Sequence, residues 1–192
     1  MDTLFSFLAE HFDLPILDWI AENITCPLLD TVIPFITKLG DRGYFWIAFA
    51  LLLALFPKTR KAGITMALAL LMGLLVCNVV MKPLFARIRP YEYQRLFHDR
   101  VIPLLIHPES SFSFPSGHTI ASFEAATAIL LRHRKLGTAA MVLAILIAFS
   151  RMYLYVHYPT DVIVSVFLGI SLAVLASWIV NKVSAAIQAK KA

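Results

Sequence analysis

Residues 62 to 81 contain no Asp, Glu, Lys or Arg. About 20 apolar residues in a row are what a helix needs to cross the hydrocarbon core of a bilayer. Inside that core the backbone has no water to bond, and a helix satisfies every N–H and C=O within one segment. This one run narrows the chain to a helical membrane protein. Composition agrees, with 59% hydrophobic residues over a length of 192, against about 45–50% in soluble domains.

Other runs follow the same logic. Residues 138 to 155 and 161 to 180 read as spans. Residues 44 to 56 and 119 to 131 read as shorter ones, the first drawing on its flank and letting Lys58 and Arg60 snorkel. Residues 82 to 115 read as a long polar loop. Residues 1 to 39 mix apolar residues with Asp2, Glu10, Asp13, Asp18, Glu22 and Asp30, and are divided by Pro15, Pro27 and Pro34. They read as short amphipathic helices at one membrane surface, with a sixth span within residues 12 to 39 as the alternative. The fold class is thus all-α, a polytopic membrane helix bundle of five transmembrane helices plus N-terminal amphipathic helices. It forms one domain over residues 1 to 192, with residues 1 to 39 interfacial and residues 44 to 180 the helix bundle.

The net charge of +5 is not gathered on a soluble face, so a nucleic-acid partner is not expected. Three short segments carry three cations each and no acid: Lys58, Arg60 and Lys61; Arg132, Arg134 and Lys135; and Lys182, Lys190 and Lys191 of the tail. By the positive-inside rule these face the cytoplasm, the C-terminus with them. The 82–115 loop and the 156–160 turn then share the opposite, extracytoplasmic face, and Lys82, His118 and His157 meet there. Cys26 and Cys77 suggest neither a disulfide framework nor a zinc site. The first cation is Lys38, so the N-terminus lacks the basic region of a cleavable signal peptide.

Polar residues beside hydrocarbon are costly and by default functional. Arg151, His157 and Asp161 close one apolar run. Arg151 offers a fork of donors suited to phosphate. His157 can act as nucleophile or proton shuttle, with Asp161 four residues on to orient its ring; a buried Arg151–Asp161 ion pair joining two helices is the plainer reading. Thr160 is a plausible N-cap for the last helix, which puts Asp161 in its favourable first turn. One ring nitrogen of His157 could then give its proton to Asp161 and leave the other free to attack, the orienting logic of a catalytic triad. Lys82 and Arg89 lie about two helical turns apart and could share a face, aimed at a phosphoryl group or merely at lipid headgroups. Ser116, Gly117 and His118 precede an apolar helix, whose N-terminus attracts anions. Ser116 could cap it or donate to phosphate, Gly117 allows close backbone approach, and His118 is placed to act as an acid; an ordinary capped turn is the alternative. His11, His98, His107 and His133 read as surface residues, and Glu124 as a buried hydrogen bond to another helix. Phe85, Tyr91, Phe112 and Phe114 read as interfacial aromatics.

Taken together, Lys82-x6-Arg89-Pro90, Pro115-Ser116-Gly117-His118 and Ser150-Arg151-x5-His157-x3-Asp161 resemble the three signature motifs of the type 2 phosphatidic acid phosphatase family. That family is related to vanadium haloperoxidases and glucose-6-phosphatase. The resemblance covers about residues 44 to 180, and all signature positions are filled in order. It implies a phosphatase without metal or other cofactor that works through a phosphohistidine. It implies that Lys82, Arg89, Ser116, Gly117 and Arg151 hold the phosphate, that His118 is the acid for the leaving group, that His157 is the nucleophile and Asp161 its partner. The substrate so implied is a membrane lipid phosphate, with undecaprenyl diphosphate favoured. Phosphatidylglycerophosphate, phosphatidic acid, or phosphotransfer to another acceptor are the alternatives.

Overall fold

The structure, a computed structural model, describes residues 3 to 190; Asp2 and Lys191 lie outside them. Among the described residues it is all helical. Helix α1 (Thr3–Leu8) passes through a π-helical turn (Ala9–Asp13) into α2 (Leu14–Asn23), followed by α3 (Pro27–Lys38) and a 3-10 turn (Asp41–Gly43). Next come α4 (Tyr44–Leu55), α5 (Arg60–Leu74) continued by a π-helical segment (Leu75–Met81), and the short α6 (Lys82–Phe85) and α7 (Pro90–Phe97). Helices α8 (Gly117–Leu130), α9 (Arg134–Tyr153) and α10 (Pro159–Ala189) complete the chain.

Helix α8 is the axis, buried at every position from Thr119 to Ile129 except Ala121. Helices α5, α9 and α10 surround it and α4 packs outside α5. Small side chains make this possible. A Cβ on Gly169 of α10 would lie 2.8 Å from the Ile120 carbonyl oxygen, and one on Gly63 of α5 would lie 2.6 Å from that of Ala50 in α4. Close approach at small residues is how helices associate in lipid. Along α10 the inward positions are Gly169, Ala173 and Ala176, whereas Phe167, Val174 and Trp178 point outward and exposed. Large apolar groups outside and small ones inside is the arrangement a lipid solvent permits.

Among the described residues three stretches are long and apolar enough to cross a membrane: Arg60–Phe97, Arg134–Tyr153 and Pro159–Ala189. Helices α4 and α8, expected as spans, have 12 and 14 residues. They reach about 18 and 21 Å at 1.5 Å per residue, short of a core about 30 Å thick.

Several expectations need correction. Lys82 and Arg89 do not share a helix face. Ala86 adopts a left-handed conformation with φ 44° and ends α6, and Arg89 is extended because the following Pro90 excludes the helical region before it. The 82–115 segment is not all loop, since Pro90 at its first turn starts α7. The N-cap of α10 is Tyr158, not Thr160, and the carboxylate of Asp161 accepts from the Tyr158 N–H in a capping box. His98 is exposed, as expected, and also lies 3.1 Å from Glu10 and bonds Gln94. Three acids of the N-terminal segment turn inward: Asp13 is fully buried, Asp18 accepts from Tyr155 Oη, and Asp30 accepts from Tyr153 Oη.

Candidate active site

The turn between α9 and α10 carries His157. Its backbone N–H and that of Val156 both donate to the Arg151 carbonyl, folding the chain back over the end of α9. Tyr155 takes a left-handed φ of 58° there, which costs about 1–2 kcal/mol outside glycine. The conformation is held by the Tyr155 hydroxyl, which donates to Asp18 at 2.8 Å and accepts from Gln94 at 2.9 Å.

His157 is buried with its two nitrogens facing different neighbours. Nδ1 lies 3.5 Å from Asp161 Oδ2 and 3.5 Å from Ser113 Oγ. Nε2 lies 3.3 Å from Arg89 Nη1, which can only donate, so the lone pair sits on Nε2 and the proton on Nδ1. Burial, reinforced by Arg89 and Arg151, holds this imidazole well below the usual histidine range. It is therefore neutral at neutral pH, with its lone pair on the Nε2 that faces Arg89.

Asp161 serves more than His157. Its Oδ1 accepts from Arg87 at 2.5 Å and its Oδ2 from Ser113 Oγ at 2.5 Å. Arg87 also donates to Asp13 at 2.7 Å and Thr160 at 2.8 Å, and stacks 3.8 Å from the Tyr158 ring centre. Arg87, Asp13 and Asp161 thus form a buried charge chain behind the histidine.

On the other side of His157, Arg89 and Arg151 converge on Glu109. Arg89 Nη2 donates to Glu109 Oε2 at 2.7 Å, and Arg151 Nη2 donates to Glu109 Oε1. Arg89 is held by the carbonyls of Ser111 (2.7 Å) and Val156 (2.8 Å), and Arg151 by Thr37 Oγ1. Lys82 Nζ reaches Ser111 Oγ at 2.9 Å, which also accepts from Arg89. Burial raises the Glu109 carboxyl, but Arg151 and Arg89 more than reverse this and hold it at about 2. The Glu109 carboxylate feels both His157 and His118 as well, so these three cations and two histidines enclose a single anion position.

Ser116 caps α8, accepting from Thr119 Oγ1 at 2.9 Å while its own N–H donates to Ser165 Oγ. Gly117 opens the helix and lines an apolar groove of 620 Å³ between α4, α5 and α8. Lys82 stands on the same groove, and Glu124 further along it. Glu124 is buried, and its Oε1 has no hydrogen-bond partner among the described residues. His118 follows Gly117, with Nε2 2.8 Å from Asp41 Oδ1.

Of the eight residues named from the sequence, Lys82, Arg89, His118, Arg151 and His157 stand around Glu109, Asp161 lies behind His157, Ser116 caps α8, and Lys82 and Gly117 line the groove. Sequence reasoning missed Arg87, Ser113, Glu109, Asp13, Thr37 and Asp41. Arg87 stood inside the quoted cationic segment and Asp13 among the spaced acids. Nothing local marked the others: Ser113, Glu109 and Asp41 come from a loop and a turn, and Thr37 from the last turn of α3.

The PAP2 superfamily profile matches residues 61–185. The undecaprenyl-diphosphatase of Sulfolobus acidocaldarius is 34% identical over 73% of this chain and 66% of its own length, so the chain aligns with just under two thirds of that relative. Among solved structures, LpxE from Aquifex aeolicus superposes with a TM-score of 0.71 at 28% identity, over 85% of this chain and 93% of that one. The PAP2-type phosphatidylglycerolphosphate phosphatase of Bacillus subtilis does so at 0.68 and 29%, over 93% of both. Family profile, relatives and superposition agree with the signature residues gathered at the mouth of the groove, and the chain belongs to the PAP2 superfamily.

Proposed function

We propose that this protein is an integral-membrane lipid phosphate phosphatase that converts undecaprenyl diphosphate to undecaprenyl phosphate through a phosphohistidine. The observation that carries the reading is the single anion position between Arg89 and Arg151, with the Nε2 lone pair of His157 facing it. A carboxylate holds that position here; a phosphoryl group offers the same donors more oxygens and more charge. The apolar groove beginning at Lys82 and Gly117 suits a lipid chain whose phosphate sits at the mouth.

In the reaction, His157 Nε2 attacks phosphorus as the bond to the leaving oxygen breaks. Asp161 holds the Nδ1 proton in place. Arg89, Arg151 and Lys82, with Ser116 and the first N–H groups of α8, neutralise the charge spread over the equatorial oxygens. His118 gives a proton to the leaving oxygen and then takes one from the water that cleaves the phosphorus–nitrogen bond. Inorganic phosphate leaves and His157 is restored. No residue in this scheme is asked to hold a metal.

The topology that goes with this is five spans, α4 and α8 being completed by their flanks. The N-terminal helices lie at the extracytoplasmic surface beside the site, and the C-terminus is cytoplasmic. All 192 residues form one phosphatase domain. Phosphatidylglycerophosphate is the second substrate reading, favoured by the Bacillus subtilis structure that matches over 93% of both chains. The test is phosphate release by the purified protein from a panel of lipid phosphates. Highest kcat/KM on undecaprenyl diphosphate supports the first reading, and highest on phosphatidylglycerophosphate the second. Release from none refutes a phosphatase.

A further inference from the structure

Asp41 lies in the 3-10 turn between α3 and α4, outside the residues matched by the family profile and outside all three signature segments. Its Oδ1 is 2.8 Å from Nε2 of His118. The contact is built rather than incidental, because the turn closes on the ring at a second point. A Cβ on Gly40 would lie 2.6 Å from His118 Cδ2, so only glycine lets the backbone approach this near. Gly40 itself has φ −91°, so the demand is for space and not for an unusual conformation. Arg42 and Gly43 then take left-handed φ values of 49° and 69°, turning the chain sharply around the ring.

We propose that Asp41 is the positioning residue of the acid histidine. It makes a second Asp–His couple that faces His157–Asp161 across the anion position. The inference rests on the reading of His118 as general acid. It gives the acid imidazole a carboxylate partner that favours its protonated form, against the burial and the Arg151 charge that oppose it. The nucleophile must be neutral, and its carboxylate Asp161 is already neutralised by Arg87 at 2.5 Å. The acid must carry a proton beside Arg151, which repels it. Among the described residues the one ion-pair partner of Asp41 is His118, although the buried Arg151 also feels its charge. The charged groups that face His118 are Arg151 from α9, Glu109 from the loop and Asp41 from the turn. Asp41 alone bonds the ring, fixing Nε2–H and leaving Nδ1 to serve the leaving oxygen. Pairs of titratable groups in opposed environments mark acid and base assignments, and carboxylates behind a working histidine fix its tautomer and orientation.

The test uses full-length protein with Asp41→Asn, Asp41→Glu and His118→Ala, assayed on phosphatidic acid and on p-nitrophenyl phosphate. The latter needs little protonation of its leaving group. Asp41→Asn is expected to lower kcat on phosphatidic acid about 10- to 100-fold, the usual effect of losing such an outer partner. KM should stay within about twofold, and kcat on p-nitrophenyl phosphate within about threefold. Asp41→Glu should recover part of the loss, and Asp41→Asn added to His118→Ala should cost nothing more. Equal loss of Asp41→Asn on both substrates, parent-like kcat on phosphatidic acid, or full additivity with His118→Ala overturns the proposal. If His118→Ala itself loses equally on both substrates, the acid reading of His118 fails and the proposal falls with it. The nucleophilic role of His157 is untouched by that outcome, since its phosphoenzyme is measured separately.

Discussion

Arg87→Met is the most informative stability test. Arg87 is 2% exposed and its two carboxylate partners, Asp13 and Asp161, are fully buried. Methionine keeps much of the stem and its packing on Tyr158 but deletes the charge, leaving two uncompensated carboxylates. Breaking a buried pair by removing one partner costs about 3–5 kcal/mol. For a chain of this size each kcal/mol shifts Tm by about 2–4 °C, so a fall of roughly 6–20 °C is expected. Asp13→Asn leaves Arg87 paired with Asp161 and keeps a polar partner, so it should cost about 1–3 kcal/mol. Activity should fall more steeply than stability in Arg87→Met. An Asp161 freed of Arg87 draws a proton onto His157, and that proton occupies the attacking lone pair. The assay is thermal unfolding in detergent followed by intrinsic fluorescence, paired with initial rates well below the mutant Tm. Parent-like Tm and rate in Arg87→Met, or an equal fall of Tm in Asp13→Asn, would refute this account of the charge chain.

Three further outcomes follow from the site. Activity should persist in excess chelator, because three cations stand where a metal enzyme would place carboxylates; loss in chelator with recovery in Mg²⁺ contradicts this. Glu109→Gln should strengthen inhibition by inorganic phosphate several-fold, since the anion and the Glu109 carboxylate compete for Arg89 and Arg151; weaker inhibition would make Glu109 a support for the arginines instead. Gly169→Val should lower Tm by overpacking the α8–α10 contact, at about 1–3 kcal/mol; an unchanged Tm would mean that the helices part without cost.

The helices were legible where hydrocarbon enforces them. The charge-free run from residue 62 and the apolar stretches that became α9 and α10 needed nothing beyond length and composition. The ends were less legible because local chemistry decides them. Pro90 and the left-handed Ala86 break what spacing alone reads as one helix face from Lys82 to Arg89, and Tyr158 takes the cap that Thr160 seemed suited for. Within the site, residues clustered in sequence could be read together. Arg87 was hidden because a cation two positions before Arg89 reads as part of one basic patch, although the two side chains face opposite sides of His157. Glu109, Ser113 and Asp41 come from a loop and a turn whose paths no periodicity records. Their contacts exist only once the bundle has brought α8, α9 and α10 together.

The most direct test of the central claim is to quench the enzyme with phosphorus-labelled substrate in alkali, which preserves phosphohistidine, and to map the label. Label on His157 in the parent, with none bound in His157→Ala, is the expected result. A parent that turns over substrate without ever carrying label, or a His157→Ala protein that still carries it, would contradict the claim.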